Sequence, residues 1–169
     1  MNYAKAGVFF FIIWLVQALL LWKVWPFGAA PSLLLCAAVC FSWLYDANYG
    51  LVYAIVFGLL IDIQTQTLFG PTALILALCC VPAFLFRQYF NPERILPAIF
   101  ASLAATPIYV FGLWGICHVF GSPADISLAA ATLPGLLAAH ALICIVLHIS
   151  FVRTIIRHRR DRRYVGGVM

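Results

Sequence analysis

Hydrophobic residues in this chain come in long runs separated by short polar islands, with neither strand alternation nor a polar helical face between them. The runs cover roughly residues 6–25, 32–62, 68–88, 95–119 and 127–152. A helix needs about 20 apolar residues to cross about 30 Å of hydrocarbon, so four of the runs read as single spans. The run from 32 to 62 does not. As one helix it would measure about 46 Å at 1.5 Å per residue, and it is interrupted by "YDANYG", where Asp46, Asn48 and Gly50 are turn formers. Dividing it there predicts short helices at about 32–45 and 49–63. The pattern therefore predicts an all-α polytopic membrane protein with six transmembrane helices. Five is the alternative if the second run stays whole.

Composition agrees with the pattern. The 169 residues are 66% hydrophobic and 9% charged, whereas a soluble domain is about 45–50% apolar and about 25% charged. Lipid must be the solvent, for a single integral membrane domain over 1–152 with a basic tail over 153–169. The first run is longer than the usual 7–15-residue core of a signal peptide and lacks an A-x-A-like site, so it is expected to be a retained span. Local signals set other boundaries: Pro31 at the second helix; Asn91, Pro92 and Glu93 as cap, first position and first turn; Ser127 as cap of the last helix. Trp22, Trp25 and Trp114 fit an interfacial aromatic belt, while Trp14 is expected between helices or against lipid.

Charge fixes an orientation. Arg153, Arg157, Arg159, Arg160, Arg162 and Arg163 make the tail strongly basic, hence cytoplasmic by the positive-inside rule. With six spans both termini are cytoplasmic, Arg87 and Arg94 share their side, the 119–127 loop with Asp125 faces outward, and Lys23 is the one basic residue outside. Five spans score equally, because Lys5 and Lys23 exchange sides. Beside a membrane, the sequence "RTIIRHRRDRR" reads as an anionic-lipid contact worth about 1 kcal/mol per basic residue, not as a nucleic-acid site.

Asp62 is the conspicuous polar group. It ends a row, Gly50, Ala54, Gly58 and Asp62, at every fourth position of one helix, which places a groove of small residues before a carboxylate. The row is a candidate for helix packing or partner contact. Asp62 is expected either solvated at the outer headgroup level or matched with a donor on another helix. The rows Ala98, Ser102, Thr106 and Ala131, Gly135, Ala139 are expected to pack within the chain, and Pro82, Pro107 and Pro134 to bend their spans.

Reaction chemistry is not legible. Cys36, Cys40, Cys79, Cys80, Cys117 and Cys144 lie within apolar runs without CxxC spacing and read as packing residues. Cys36 and Cys40 share a helix face, but two thiols make a poor metal site. His140 and His148 lie eight apart, roughly on one side of the last span, with Asp62 the one carboxylate available to a proton relay. Phosphate loops, HExxH pairs and nucleophile motifs do not occur. No catalytic, cofactor or metal residue is expected.

The segment "GLVYAIVFGLLIDIQTQTLFGPTALILAL" resembles the central segment of the bacterial rod-shape-determining MreD family, with Gly58, Leu59, Asp62, Gly70 and Ala73 at the positions that carry the likeness. The resemblance implies a non-enzymatic subunit of the elongasome in the bacterial cytoplasmic membrane, involved in cell shape. It implies association with MreC and, through it, with MreB filaments, RodA and RodA's transpeptidase partner. The family is also distantly similar to the substrate-binding S components of energy-coupling-factor vitamin transporters, which share a six-helix membrane fold. The alternative is therefore a small-molecule-binding transporter component, with Gln64 to Thr67, Trp114, His118 and Asp125 under the outer loops as its polar groups. That inventory is thin for fixing a ligand's orientation.

Overall fold

The computed structural model describes residues 3–21, 31–44, 47–65, 70–90, 94–120 and 126–165. Their secondary structure is helical: α1 (Tyr3–Val16, continued by a π turn over Gln17–Leu21), α2 (Leu33–Leu44), α3 (Ala47–Thr65), α4 (Pro71–Tyr89), α5 (Ile95–Val119) and α6 (Ile126–Val165). Side-chain contacts show that consecutive helices run in opposite directions. Phe10 of α1 meets Phe41 of α2, and Gln17 meets Leu34. Further on, Asp62 meets Gly70, Cys79 of α4 meets Ala105 of α5, and Ala98 and Thr106 of α5 meet Cys144 and His140 of α6.

Helix α2 is the centre of the bundle. It touches every other helix, and Leu34 to Trp43 are all buried. Its sequence explains the position. Cys36, Ala37, Ala38, Cys40 and Ser42 keep it thin, and in lipid close backbone approach rather than water exclusion drives association. Phe10, Phe41, Tyr53, Phe57 and Phe151 close the core around one end of it with ring centroids 4.9–6.5 Å apart in the contacting pairs. The outer surface is equally apolar: Val8, Phe11 and Ile12, Val52 and Val56, Leu74 and Leu85, and Leu142 and Val146 are exposed. This is the surface lipid requires.

Length separates the helices. Residues 71–89, 95–116 and 129–152 are long and apolar enough to cross a membrane, while the apolar stretches 7–19, 33–44 and 50–64 are shorter. At 12 residues, α2 rises about 18 Å against about 30 Å of hydrocarbon, and its start is buried among protein at Ser32.

Several predicted boundaries move. Asn48 and Gly50 stand inside α3 and not in a turn; Gly50 is held there by contact with α2. Pro31 precedes the helix, whose cap is Ser32, and Ser127 falls in the first turn of α6. Asp46, Asn91, Pro92, Glu93, Trp22 and Trp25 lie outside the described residues. Arg94 stands at the cap position of α5 without a side-chain cap bond. Trp14 is partly buried against the core, with its ring 5.7 Å from Phe11. Pro82, Pro107 and Pro134 all lie within helices. The predicted tail continues α6 as helix through Val165.

Candidate functional site

The first amides of a helix have no partner within it, and in a bilayer interior water is not there to supply one. Among the described residues, two helix starts are met by interior polar side chains from elsewhere in the chain.

The first is α4. Its cap residue, Gly70, sits at φ 109° in the left-handed region, with Pro71 directly after it. Glycine tolerates that backbone but brings no capping side chain. Asp62 supplies one from the end of α3: Gly70 N–H donates to Oδ2 at 3.0 Å and Thr72 N–H to Oδ1 at 3.2 Å. The carboxylate is fully buried, and its charge complements the positive end of the α4 dipole. Gly58 lies one turn earlier against the same helix start. A Cβ there would sit 2.8 Å from Ala73 N and closer still to Ala73 Cα. The rest of the row behaves alike. Ala54 is buried, and a Cβ on Gly50 would meet Ser42 N at 2.8 Å and the Ala38 carbonyl at 2.9 Å. Each of the four residues faces a neighbouring helix of the same chain, and Asp62 finds its donors within the chain rather than in a headgroup layer.

The second is α2. Ser32 Oγ accepts from Leu35 N–H at 3.2 Å, Gln17 Oε1 accepts from Leu34 N–H at 3.0 Å, and His140 Nε2 accepts from Ser32 N–H at 3.0 Å. Thr106 Oγ1 lies 2.9 Å from His140 Nδ1 and donates its own proton to the Ser102 carbonyl at 2.9 Å. This pattern assigns the tautomer: Nδ1 carries the proton and Nε2 accepts. The fully buried imidazole is thus neutral and engaged on both nitrogens, tying α2 to α5 and α6. Gln17 and His140 were not anticipated in these roles. Their only signal was a polar side chain within an apolar run, and the partners of His140 are 34 and 108 residues away.

The thiols fill space and make weak bonds to carbonyls. Cys36 donates to His140 O at 3.6 Å, Cys79 to Ala105 O at 3.4 Å and Cys144 to Ala98 O at 3.6 Å; Cys40 and Cys144 Sγ are 3.4 Å apart. Cys36, Cys40, Cys79, Cys80 and Cys144 are free and buried; the Cys117 side chain lies outside the described residues. No cluster of three metal-ligating side chains occurs among the described residues.

The remaining candidates are dispersed. Ala98, Ser102 and Thr106 are all buried, whereas Ala131 and Gly135 are exposed and only Ala139 of that row is buried. His148 is buried and His118 stacks on Trp114 at 5.2 Å. Gln64 is exposed; the side chains of Thr65, Gln66, Thr67 and Asp125, and of Arg153, Arg157, Arg159, Arg160, Arg162 and Arg163, lie outside the described residues.

The class this architecture defines is a helical membrane protein whose few interior polar groups hold helix starts in place. Compared with protein families, residues 3–157 match the one described as rod shape-determining protein MreD. The chain belongs to that family and is a rod shape-determining membrane protein. Comparison with curated proteins and with solved structures gives no match.

Proposed function

We propose that this protein is a multi-pass scaffold of the bacterial cytoplasmic membrane within the cell-wall elongation machinery. It holds MreC and through it connects MreB filaments to RodA and RodA's transpeptidase partner, without carrying out a reaction of its own. One observation carries the reading: Asp62 and His140, two of the buried titratable side chains, are engaged by backbone amides at helix starts. Such groups build a rigid shape, and a scaffold acts through shape. The alternating helix directions support six passes with both termini on one side. They bring the start of α1, the α4–α5 junction with Arg87 and Arg94, and the basic end of α6 to the same end of the bundle, which is the cytoplasmic end by the positive-inside rule. The six tail arginines attract anionic lipid there.

Co-purification tests the reading. MreC is expected to accompany the detergent-solubilised protein at near-equimolar ratio through size exclusion. Monodisperse protein that carries no MreC contradicts it.

A further inference from the structure

The lipid-facing side of the bundle is not uniformly convex. Between α4 and α5 runs an open groove of about 520 Å³, walled by Leu78, Val81, Leu85 and Phe86 on one side and by Ala104 and Ile108 on the other. Two features of the sequence make it. The helices meet closely at Gly112, where a Cβ would lie 3.3 Å from Ile75, and at Cys79, whose thiol reaches the Ala105 carbonyl. Just beyond that contact Ala104 offers only a methyl group where a larger side chain would fill the cleft. Pro82 lines the cleft from α4.

Length and charge say what fits. From Leu78 to Tyr89 the wall rises about 16 Å at 1.5 Å per residue, about half of the 30 Å hydrocarbon layer. An acyl chain belongs to one leaflet, whereas a partner's transmembrane helix would run on past the closed end. Two arginines stand near the open end without lining the groove. Tyr89, at the rim, is 80% exposed. Arg87 lies two residues before it, its guanidinium on the Ser42 carbonyl at 3.3 Å, and Arg94 is exposed where α5 begins. Basic recesses between helices at the cytoplasmic face suit anionic headgroups.

We propose that this groove seats one anionic phospholipid of the leaflet on the Arg87 and Arg94 side, its acyl chain against α4 and α5 and its phosphate at the arginines. The seat is distinct from the diffuse attraction of the C-terminal arginines and does not depend on MreC binding.

Photo-cross-linking of the full-length protein in lipid nanodiscs tests it, using phosphatidylglycerol or phosphatidylethanolamine probes with a diazirine on the acyl chain and adducts mapped by peptide mass spectrometry. The phosphatidylglycerol probe is expected to label peptides spanning 78–89 and 104–108 about five-fold more than the other probe. Arg94→Gln should bring the two probes close to parity. Ala104→Trp should remove labelling in the groove while leaving that at Leu142 and Val146 of α6 unchanged. Leu78→Trp, at a 48% exposed position, gives the same reading should Ala104→Trp fail to fold. Equal labelling by both probes, labelling undiminished in a folded Trp variant, or groove peptides cross-linked to a co-purified protein in place of lipid would each overturn the proposal.

Discussion

A carboxylate at the end of an apolar helix persists only where donors meet it, and Asp62 has two, the amides of Gly70 and Thr72. Its place at the end of a small-residue row was legible in the sequence. The source of its donors was not, because that depends on Gly70 turning into the left-handed region and aiming its own N–H backward. Removing the side chain leaves two buried amides without partners, and each such loss costs about 1–3 kcal/mol. Asp62→Ala is therefore expected to lose about 2–4 kcal/mol, read as a fall in the thermal midpoint of the detergent-solubilised protein. Asp62→Asn keeps one acceptor oxygen and should fall between. A midpoint unchanged in Asp62→Ala would remove the capping role. His140 was harder to foresee. Its eight-residue spacing from His148 placed both on one side of α6, but its use as an acceptor for Ser32 rests on a contact across 108 residues.

Among the elements, α3 shows where local signals fail. Asn48 and Gly50 read as turn formers by preference, yet both are helical, because Gly50 lets α3 lie on Ala38 and Ser42 of α2. Tertiary packing overrides propensity at such positions. The small-residue rows divide in the same way. Gly58 is pressed on the backbone of α4, while Gly135 of α6 has nothing within 4 Å of where a Cβ would stand. Spacing alone treated the two alike, since a fourfold repeat fixes a face but not what lies opposite. Gly58→Ala is expected to destabilise by about 2–3 kcal/mol, because backbone rather than a flexible side chain must yield. Gly135→Ala should leave the midpoint unchanged or slightly raised. Equal tolerance of both, measured by fluorescence-detected size exclusion after heating, would contradict the close α3–α4 approach. The later helices were the most legible: α5 begins and ends where its apolar run does, although its cap position, Arg94, makes no side-chain cap bond. For α2, hydrophobicity announced a helix but not that it would be central.

For the whole molecule, the family is shown by a match over residues 3–157, and the helical class was legible from composition alone. What composition withheld is the reason this protein has interior polar groups at all. Gln17, Ser32 and His140 finish the start of the 12-residue α2 inside the protein, and Asp62 does the same for the start of the 19-residue α4. On that account these groups matter to cell shape only through folding. The direct measurement is complementation of a rod-shaped bacterium depleted of its own copy of the protein, with Asp62→Asn and His140→Gln variants scored for cell shape, membrane abundance and thermal midpoint in parallel. Rod shape is expected to follow the amount of folded protein for both variants. Round cells containing either variant at full abundance and with an unchanged midpoint would show that Asp62 or His140 acts on something beyond the fold, and would contradict the scaffold account.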